Sequence, residues 1–182
     1  MRIAQVSNTA TNPPPTWVEQ QYAQLQPLLI RYVARQLCGN HETARDVVQE
    51  AFAKLCEQPW PEIESHSRAW LYRVCRNRAV DILRREGRMS PLIEQQRQVE
   101  SLHDVHQASP ERQVDQAEQL ELVRSQITTL SHNQQEVLRL RLQENLSYRE
   151  IAEVTGLSVS NVGYQLHEAL CNLKSLCRAS EA

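Results

Sequence analysis

Glycine and aromatic residues are both scarce in this chain of 182 residues, which has four glycines and 5% aromatic residues. It lacks the runs of alternating polar and apolar residues that are typical of half-buried strands, and its only strong periodicity is helical. It also lacks any run of about eighteen apolar residues, so no membrane-spanning helix is predicted. These absences favour an all-α protein, long enough for one or two small domains.

The chain also lacks the patterns of common catalytic and metal sites. Its five cysteines include no CxxC pair, so we expect reduced packing residues rather than disulfides or zinc ligands. No glycine-rich phosphate loop is present, and no motif joins a cysteine, a histidine and an acid. We therefore expect no enzyme activity, metal or cofactor, with a small cysteine–histidine enzyme as the competing class. No export signal is visible at the N-terminus, which predicts a cytoplasmic location.

Helix signals divide the chain into two stretches. The predicted parts are a disordered tail (1–15), a first helical domain (16–87), a polar linker (88–109) and a second helical domain (110–182). In the first domain we predict helices over residues 16–37, 42–57 and 67–86. A capping box of Thr16 and Glu19 would open the first of them, and Pro27 would kink or split it. Pro110 and Ser131 mark helix starts in the second domain.

The most informative stretch predicts two helices that meet at a glycine. Ser147, with Glu150 three residues later, forms a capping box, Gly156 lies at the turn, and Ser158 caps the second helix. This is the layout of a helix-turn-helix, whose second helix enters the DNA major groove. The apolar side of that helix is predicted to contain Val159, Val162, Leu166, Ala169, Leu170 and Leu173. On the helix before the motif the predicted apolar set is Val137, Leu138, Leu140 and Leu142.

Polar residues cover the other side of the second helix. Asn and Gln can pair with adenine edges, and Ser can donate or accept, so this side is suited to reading bases. Residues 159–173 contain no Lys or Arg, which predicts weak phosphate binding by this helix alone. The residues expected to contact DNA here are Arg149, Ser160, Asn161, Tyr164, Gln165 and His167.

Charge is distributed unevenly, although the net charge is only −2. Residues 65–88 carry seven basic and two acidic side chains, and residues 89–122 carry two basic and seven acidic ones. Trp70 and Tyr72 lie among the arginines of the basic stretch. This arrangement suits a nucleic-acid strand, because cations follow phosphates and rings stack on bases. The competing interpretation is a solvated amphipathic helix with its aromatic residues in the core.

Three motifs, in this order, resemble the extracytoplasmic-function (ECF) group of bacterial sigma factors. DVVQEAFAKL (46–55) resembles the group's motif for binding core polymerase. RAWLYRVCRNRAVDILRR (68–85) resembles its promoter −10 helix, and LSYREIAEVTGLSVSNVGYQLHEAL (146–170) resembles its −35 helix-turn-helix. Gly163 and His167 stand where the family often has Lys or Arg.

The resemblance implies a transcription initiation factor that binds core RNA polymerase, directs it to promoters and promotes strand opening. The alternative is a stand-alone helix-turn-helix regulator that needs no polymerase. Core polymerase and promoter DNA are the implied partners, and a monomer is expected when the protein is free. The sequence leaves open whether an anti-sigma factor binds it or the two domains pack together.

The resemblance also implies roles for individual residues, with Asn77 reading an extruded base and the arginines holding the backbone. The implied core-polymerase contacts are Asp46, Gln49 and Glu50. The implied −10 contacts are Trp70, Arg73, Arg76, Asn77, Arg84 and Arg85. The implied −35 contacts are the polar residues of the second helix together with Arg149.

Overall fold

The computed structural model describes residues 12–87, 127 and 129–180, and these residues contain helices and no strand. The all-α prediction is therefore confirmed. The predicted linker and the helix start at Pro110 lie outside the described residues, as do residues 1–11 of the predicted tail. The six helices are α1 (Pro15–Gln36), α2 (His41–Cys56), α3 (Ser67–Arg85), α4 (His132–Leu142), α5 (Tyr148–Thr155) and α6 (Val159–Ser180), with a 3₁₀ helix (Glu62–Ser65) before α3.

Helices α1, α2 and α3 pack together as the first helical unit. Leu29, Val48, Leu55 and Leu71 are fully buried between them, because each lies on the apolar stripe that its helix turns inward. Burying one such side chain stabilises the fold by roughly 1.5–3 kcal/mol. Asn40 caps α2 by accepting a hydrogen bond from the Thr43 amide at 3.0 Å. The basic helix, α3, is thus held in place by the buried side chains that it shares with α1 and α2.

The start of α1 differs from the prediction. The helix begins at Pro15 after Pro14 and has no side-chain cap, so the expected capping box of Thr16 and Glu19 is wrong. Proline suits the first helical position, because its φ is preset and its missing N–H would lack a partner there anyway. Pro27 lies inside one continuous helix, so the helix is not split. The buried neighbours Leu25 and Leu29 hold the helix against the core on both sides of it.

Helices α4, α5 and α6 form the second helical unit, which has the predicted helix-turn-helix. The Ser147 hydroxyl accepts from the Glu150 amide, and the Glu150 carboxylate accepts from the Ser147 amide, which confirms the capping box. Gly156 ends α5 with a φ of 77°, in the left-handed region that glycine adopts without strain. Ser158 accepts from the Asn161 amide at 3.2 Å and caps α6.

Not every residue predicted to be apolar core is buried. Val162, Leu166 and Ala169 of α6 are buried as predicted, whereas Val159 and Leu170 are exposed. Val159 is the first residue of its helix, and Leu170 is rotated about 100° from the buried Ala169. Leu142, the last residue of α4, is 66% exposed because the helix ends past its contact with α6.

The two helical units pack against each other. Helix α3 contacts α5, and buried apolar residues of both units belong to one hydrophobic cluster. The basic helix therefore lies between the rest of its own unit and the helix-turn-helix. Within the described ranges, none of the helices is long and apolar enough to cross a membrane.

Candidate nucleic-acid interface

Part of the basic helix is accessible. Asn77, Arg84 and Arg85 are exposed along the C-terminal half of α3, and Arg73 is partly exposed nearer its start. These side chains point away from the buried stripe of Cys75, Ala79 and Leu83 because their positions fall on other sides of the helix. Two exposed cations, Arg84 and Arg85, therefore lie at the C-terminal end of α3.

The two aromatic residues among the arginines are not free to stack on bases. Tyr72 is fully buried, its ring lies edge-on to Tyr32 with centroids 5.1 Å apart, and its hydroxyl donates to Glu144. Burial, followed by the bond to Glu144, raises the pKa of the Tyr72 phenol far above its usual range. The expectation of an available Tyr72 ring is therefore wrong, and the competing core interpretation is correct for this residue.

Trp70 is also mostly covered, with 9% of its surface exposed. It lines a hollow of about 170 Å³ at the end of the 3₁₀ helix. The other lining residues are Gln58, Pro59, Glu62, Ile63, His66 and Arg73. One edge of the indole, together with a neighbouring guanidinium, is thus the part of this tryptophan that a ligand could reach.

Arg76, predicted to hold promoter backbone, is instead bound by a carboxylate of the second unit. It donates through Nε and Nη2 to the two carboxylate oxygens of Glu136, at 2.8 and 3.1 Å. Glu136 also accepts from the Tyr32 hydroxyl at 2.8 Å and from the Gln36 amide at 3.1 Å. Its side chain is 2% exposed. Four donated hydrogen bonds from three residues therefore replace the water that this carboxylate lost.

The environment keeps Glu136 charged. Burial alone would raise the pKa of its carboxyl, but the hydrogen bonds and charge of Arg76 outweigh burial and hold that pKa below its usual range. For Arg76, burial opposes the charged form, yet the same bonds raise its pKa. Burial and the negative charge of Glu136 also raise the pKa of Tyr32, so its phenol remains a donor. The group is an ion pair with a neutral tyrosine.

A second buried carboxylate, Glu144, lies in the turn after α4 and meets the first unit nearby. It accepts from Tyr72, and its oxygens lie 3.7 Å from Arg31 and 3.9 Å from Arg68. The Nε atoms of both arginines are buried with no hydrogen-bond partner among the described residues. An unsatisfied buried donor costs about 1–3 kcal/mol, so the Glu144 site is less favourable than the Glu136 site.

Partly exposed contacts surround these two buried sites. Arg73 of α3 lies 3.3 Å from Glu153 of α5, and the Arg35 guanidinium donates to the Gln143 side chain at 2.7 Å. Exposed pairs of this kind contribute about 0–1 kcal/mol each, because water and salt screen them. The contact between the units therefore depends mainly on the buried groups.

Sequence reasoning missed the carboxylates that cover α3. Glu136 lies among the apolar residues Val137, Leu138 and Leu140, and a charge on the inner side of a helix is a weak signal of a buried partner. Glu144 lies in a turn, where an acidic residue is ordinary. Neither position reveals from the sequence that its partner is an arginine or a tyrosine of the other unit.

The residues predicted to bind core polymerase lie together on α2. Asp46, Gln49 and Glu50 are all exposed, and their spacing places them on one side of the helix, opposite Val48 and Leu55. Arg78 of α3 donates to both oxygens of Glu50, at 2.8 and 3.3 Å, in an exposed ion pair. Asp46 and Gln49 therefore offer the more accessible polar groups of this surface.

The polar side of α6 presents the predicted base-reading residues. Ser160, Tyr164 and His167 are exposed, and Tyr164 is 60% exposed. Asn161 and Gln165 are partly buried one turn apart, and the Gln165 amide donates to the Asn161 carbonyl oxygen at 3.3 Å. This bond aligns two amide groups along the surface of the helix.

The start of α5 adds further groups beside α6. Arg149 is exposed, and the guanidinium of Arg141 lies over the ring of Tyr148, 5.7 Å from its centroid. Arg141 also donates to the Leu146 carbonyl at 2.9 Å, which fixes its position. Two cations, Arg141 and Arg149, therefore lie near the start of α5.

The four cysteines whose side chains are described form no disulfide. Cys75 is buried, but Cys38, Cys56 and Cys171 are exposed, so among these four the predicted packing role is correct only for Cys75. The side chain of Cys177 lies outside the described part. In the same part of the chain, no group of three His, Cys, Asp or Glu side chains is placed to hold a metal ion.

Comparison with known proteins gives matches to both helical units. The family described as Sigma-70 region 2 matches residues 21–89, and the family described as Sigma-70, region 4 matches residues 120–173. The RNA polymerase sigma factor YlaC of Bacillus subtilis is 31% identical over 159 residues, which cover 86% of this chain and 90% of that protein. The ECF RNA polymerase sigma-E factor of Haemophilus influenzae is 32% identical over 154 residues, covering 78% of this chain and 75% of that protein.

Proposed function

Because the chain belongs to the ECF group of RNA polymerase sigma factors, we propose that α2, α3 and α6 each supply one binding surface for promoter recognition. The protein is a transcription initiation factor that directs RNA polymerase to promoters. The observation that carries the proposal is that each of these helices has exposed or partly exposed polar residues on the side away from its buried stripe. The two domains of the proposal are residues 16–87 and 110–182.

The face on α2 would bind the core polymerase. Asp46 and Gln49 are exposed on a helix that packs firmly on its other side, so they are held in place without being covered. Carboxylates and amides on a rigid helix suit a basic partner surface and would speed the encounter with it. Glu50 belongs to the same face and would exchange Arg78 for a group of the polymerase.

The face on α3 would hold the −10 element as its strands separate. Arg84 and Arg85 are exposed and can bind phosphates. Asn77, near the middle of α3, can pair with a base edge. The hollow beside Trp70 and Arg73 offers a ring edge and a cation to an unpaired base. Arg76 would join this surface after release from Glu136. Capturing an extruded base offsets the cost of unpairing it and so favours strand opening.

The face on α6 would read the −35 element in the major groove. Asn161 and Gln165 supply amides that can pair with adenine, and Ser160, Tyr164 and His167 extend the polar surface on either side. Arg149 at the start of α5 would contact phosphate beside the groove. The contact of α5 with α6 supports this role, because in a helix-turn-helix the second helix is the one that enters the major groove.

The free protein would lie in the cytoplasm, where the core polymerase and promoter DNA are, and it would be a monomer. Its role would be to bind and position, and the polymerase would carry out the chemistry. An anti-sigma partner is not required by any part of this assignment.

One variant of α2 and one variant of α6 test the assignment of these two surfaces, because each should change one kind of binding and leave the other unchanged. Asp46→Arg should weaken binding to core polymerase about tenfold or more, because it places a cation against a basic surface; tenfold corresponds to about 1.4 kcal/mol. Glu57→Arg, which makes the same charge change at an exposed position after α2, is the control and should bind normally. Asn161→Ala with Gln165→Ala should leave core binding unchanged and alter −35 preference.

Core affinity can be measured by fluorescence anisotropy, and −35 preference by run-off transcription from a promoter library. Equal core binding by the Asp46 and Glu57 variants would contradict the α2 assignment. An unchanged −35 preference in the double alanine variant would contradict the α6 assignment.

A further inference from the structure

Outside the three proposed faces, the two helical units meet in a contact that buries two charged side chains. Two carboxylates of the second unit, Glu136 and Glu144, are almost completely buried against the first, with 2% and 3% of their side chains exposed. Glutamate is rarely buried to this extent unless it is paired, because its charge loses water. Both carboxylates are therefore part of a specific contact, and each one ends on residues of α1 and α3.

The groups that meet these carboxylates include part of the proposed DNA-binding machinery. Arg76 of the proposed α3 face holds Glu136 with a bidentate pair. Arg73 of the same face lies 3.3 Å from a third carboxylate of the second unit, Glu153. A phosphate accepts the same forked pair of bonds from an arginine that a carboxylate does. Glu136 thus occupies the place on Arg76 that a promoter phosphate would take.

In the structure the two units are in contact, which we call the closed arrangement. This arrangement is incompatible with simultaneous binding of both promoter elements. The labels −10 and −35 place the elements about 25 base pairs apart, or about 85 Å along duplex DNA at 3.4 Å per pair. In the structure α3 and α5 are in contact, with Arg73 and Glu153 3.3 Å apart. The chain between the units can allow separation, because its 41 residues, 88–128, can span at most about 140 Å.

The chemistry of the contact also suits reversible opening. Removing charges from water is costly, so a buried ion pair gives little net stabilisation even when it is well bonded. Two arginine Nε atoms at the Glu144 site have no partner in the described part of the chain, which lowers the advantage of the closed form further. Opening returns the carboxylates to water and frees the arginines for water or nucleic acid, which offsets part of the cost of breaking the contact.

We propose that the free protein is held closed by a carboxylate latch, in which Glu136 and Glu144 dock on the tyrosines and arginines of α1 and α3, and that this latch must open before α3 binds promoter DNA. The inhibitory part of this proposal rests on the function proposed above for α3. The closed state lowers apparent affinity for DNA by the fraction of molecules that are open. Polymerase or promoter binding shifts the equilibrium by binding the open form.

Small-angle X-ray scattering of the full chain tests the latch. Glu136→Gln with Glu144→Gln removes both negative charges at constant side-chain size, and it should raise the radius of gyration by about a fifth or more as the units separate. Glu42→Gln with Glu57→Gln makes the same charge change at exposed positions and should remain as compact as the wild type.

A second pair of substitutions guards against misfolding. Tyr32→Phe with Tyr72→Phe keeps both rings in the core but removes the hydroxyls that donate to the carboxylates. This variant should also expand, while its circular dichroism shows unchanged helix content. A wild type that is already extended would overturn the latch, and so would glutamine and phenylalanine variants that are both as compact as the wild type.

Binding of a random-sequence single-stranded oligonucleotide, without polymerase, tests the inhibitory role. The glutamine variant should bind the oligonucleotide about threefold or more tightly than the wild type, since Arg73 and Arg76 are released, and the exposed-site control should bind as the wild type does. Expanded variants with no gain in oligonucleotide binding would overturn the occlusion of α3. Because scattering is measured without polymerase, it decides the latch even if the α2 assignment is wrong.

Discussion

At the scale of single residues, two glutamates and two tyrosines determine how the helical units meet. Tyr32 and Tyr72 pack ring against ring inside the first unit and direct their hydroxyls at Glu136 and Glu144. Each ring packs in the apolar core and each hydroxyl donates to a carboxylate. Buried tyrosine hydroxyls usually have such a hydrogen-bond partner. The aromatic residue among the arginines of α3 therefore has a structural role that its neighbours in the sequence do not suggest.

The thiols of this protein should differ sharply in reactivity. Burial raises the pKa of Cys75 to about 12, and only the thiolate reacts with alkylating reagents. At pH 8 about one Cys75 in ten thousand would be ionised, against roughly a quarter of ordinary thiols. Brief iodoacetamide treatment of the folded protein, followed by peptide mass spectrometry, should label Cys38, Cys56 and Cys171 and spare Cys75. Labelling of Cys75 at the rate of Cys56 would show that α3 is not packed as described.

At the scale of secondary-structure elements, much could be read from the sequence because the signals are local. The predicted capping box at Ser147 forms with Glu150, and the predicted helix start at Ser131 is also a capping box, made with Gln134, whereas the box predicted at Thr16 does not form. The turn at Gly156 follows from glycine's access to positive φ. Helix-end positions such as Val159 and Leu142 were assigned wrongly to the core, because periodicity does not show where a neighbouring helix stops.

Two glycines in the helix-turn-helix should respond in opposite ways to alanine. Gly156 has a φ of 77°, which alanine adopts at a cost of about 1–2 kcal/mol, so Gly156→Ala should destabilise the protein by that amount. Gly163 lies inside α6, and a Cβ there would meet Tyr148 at 3.7 Å, an ordinary contact. Gly163→Ala should therefore stabilise by about 0.5–1 kcal/mol.

Urea unfolding monitored by circular dichroism measures both changes against the wild type. A stabilising Gly156→Ala would mean that the turn does not use the left-handed conformation. A destabilising Gly163→Ala would mean that α5 approaches α6 more closely than described.

The exposed end of α3 should contribute to the salt dependence of DNA binding. Arg84→Ala with Arg85→Ala removes two cations, so the slope of log affinity against log salt for single-stranded DNA should become shallower by about 1.4, at about 0.7 per phosphate. Both residues are exposed, so helix content should not change. Titration of the polymerase complex with a −10 single strand at several salt concentrations gives the slope, and an unchanged slope would place the phosphate contacts elsewhere.

At the scale of the whole molecule, a shared apolar cluster and buried ion pairs join the two units, and this arrangement covers part of α3. The sequence predicted the basic helix and the helix-turn-helix, and the comparisons confirm the family to which this pair belongs. The sequence left open whether the units pack together, and the structure shows that they do. Arg73 and Arg76, which resemblance alone assigns to DNA, face Glu153 and Glu136 in this state.

The closed arrangement should depend on pH at both extremes. Glu136 faces Arg76 of α3, Tyr32 of α1 and His132 of its own helix, and Arg76 holds its pKa below the usual value against the effect of burial. Its stabilisation is therefore present above the ordinary glutamate pKa of about 4.3 and is lost as the pH falls through the lower folded-state pKa. The raised pKa of Tyr32 has the opposite sign, so its stabilisation is present below about pH 10 and is lost as the pH rises through the higher folded-state value.

The radius of gyration should accordingly stay constant between pH 5 and 9, within those limits of about 4.3 and 10, and increase only outside them. The Glu136→Gln variant should lose the acid transition. Expansion centred between pH 6 and 7 would instead indicate control by a histidine such as His132, and would contradict the role given to Glu136.

The sequence by itself determined the helices, the caps at Ser131, Ser147 and Ser158, the helix-turn-helix and the family, because each of these depends on residues a few positions apart. Only the tertiary structure decided which arginines are accessible. Arg76 and Glu136 are 60 positions apart, and nothing local to either one requires that they meet. They come together because a buried charge is stable only beside an opposite charge, and this pair forms when the two units pack against each other.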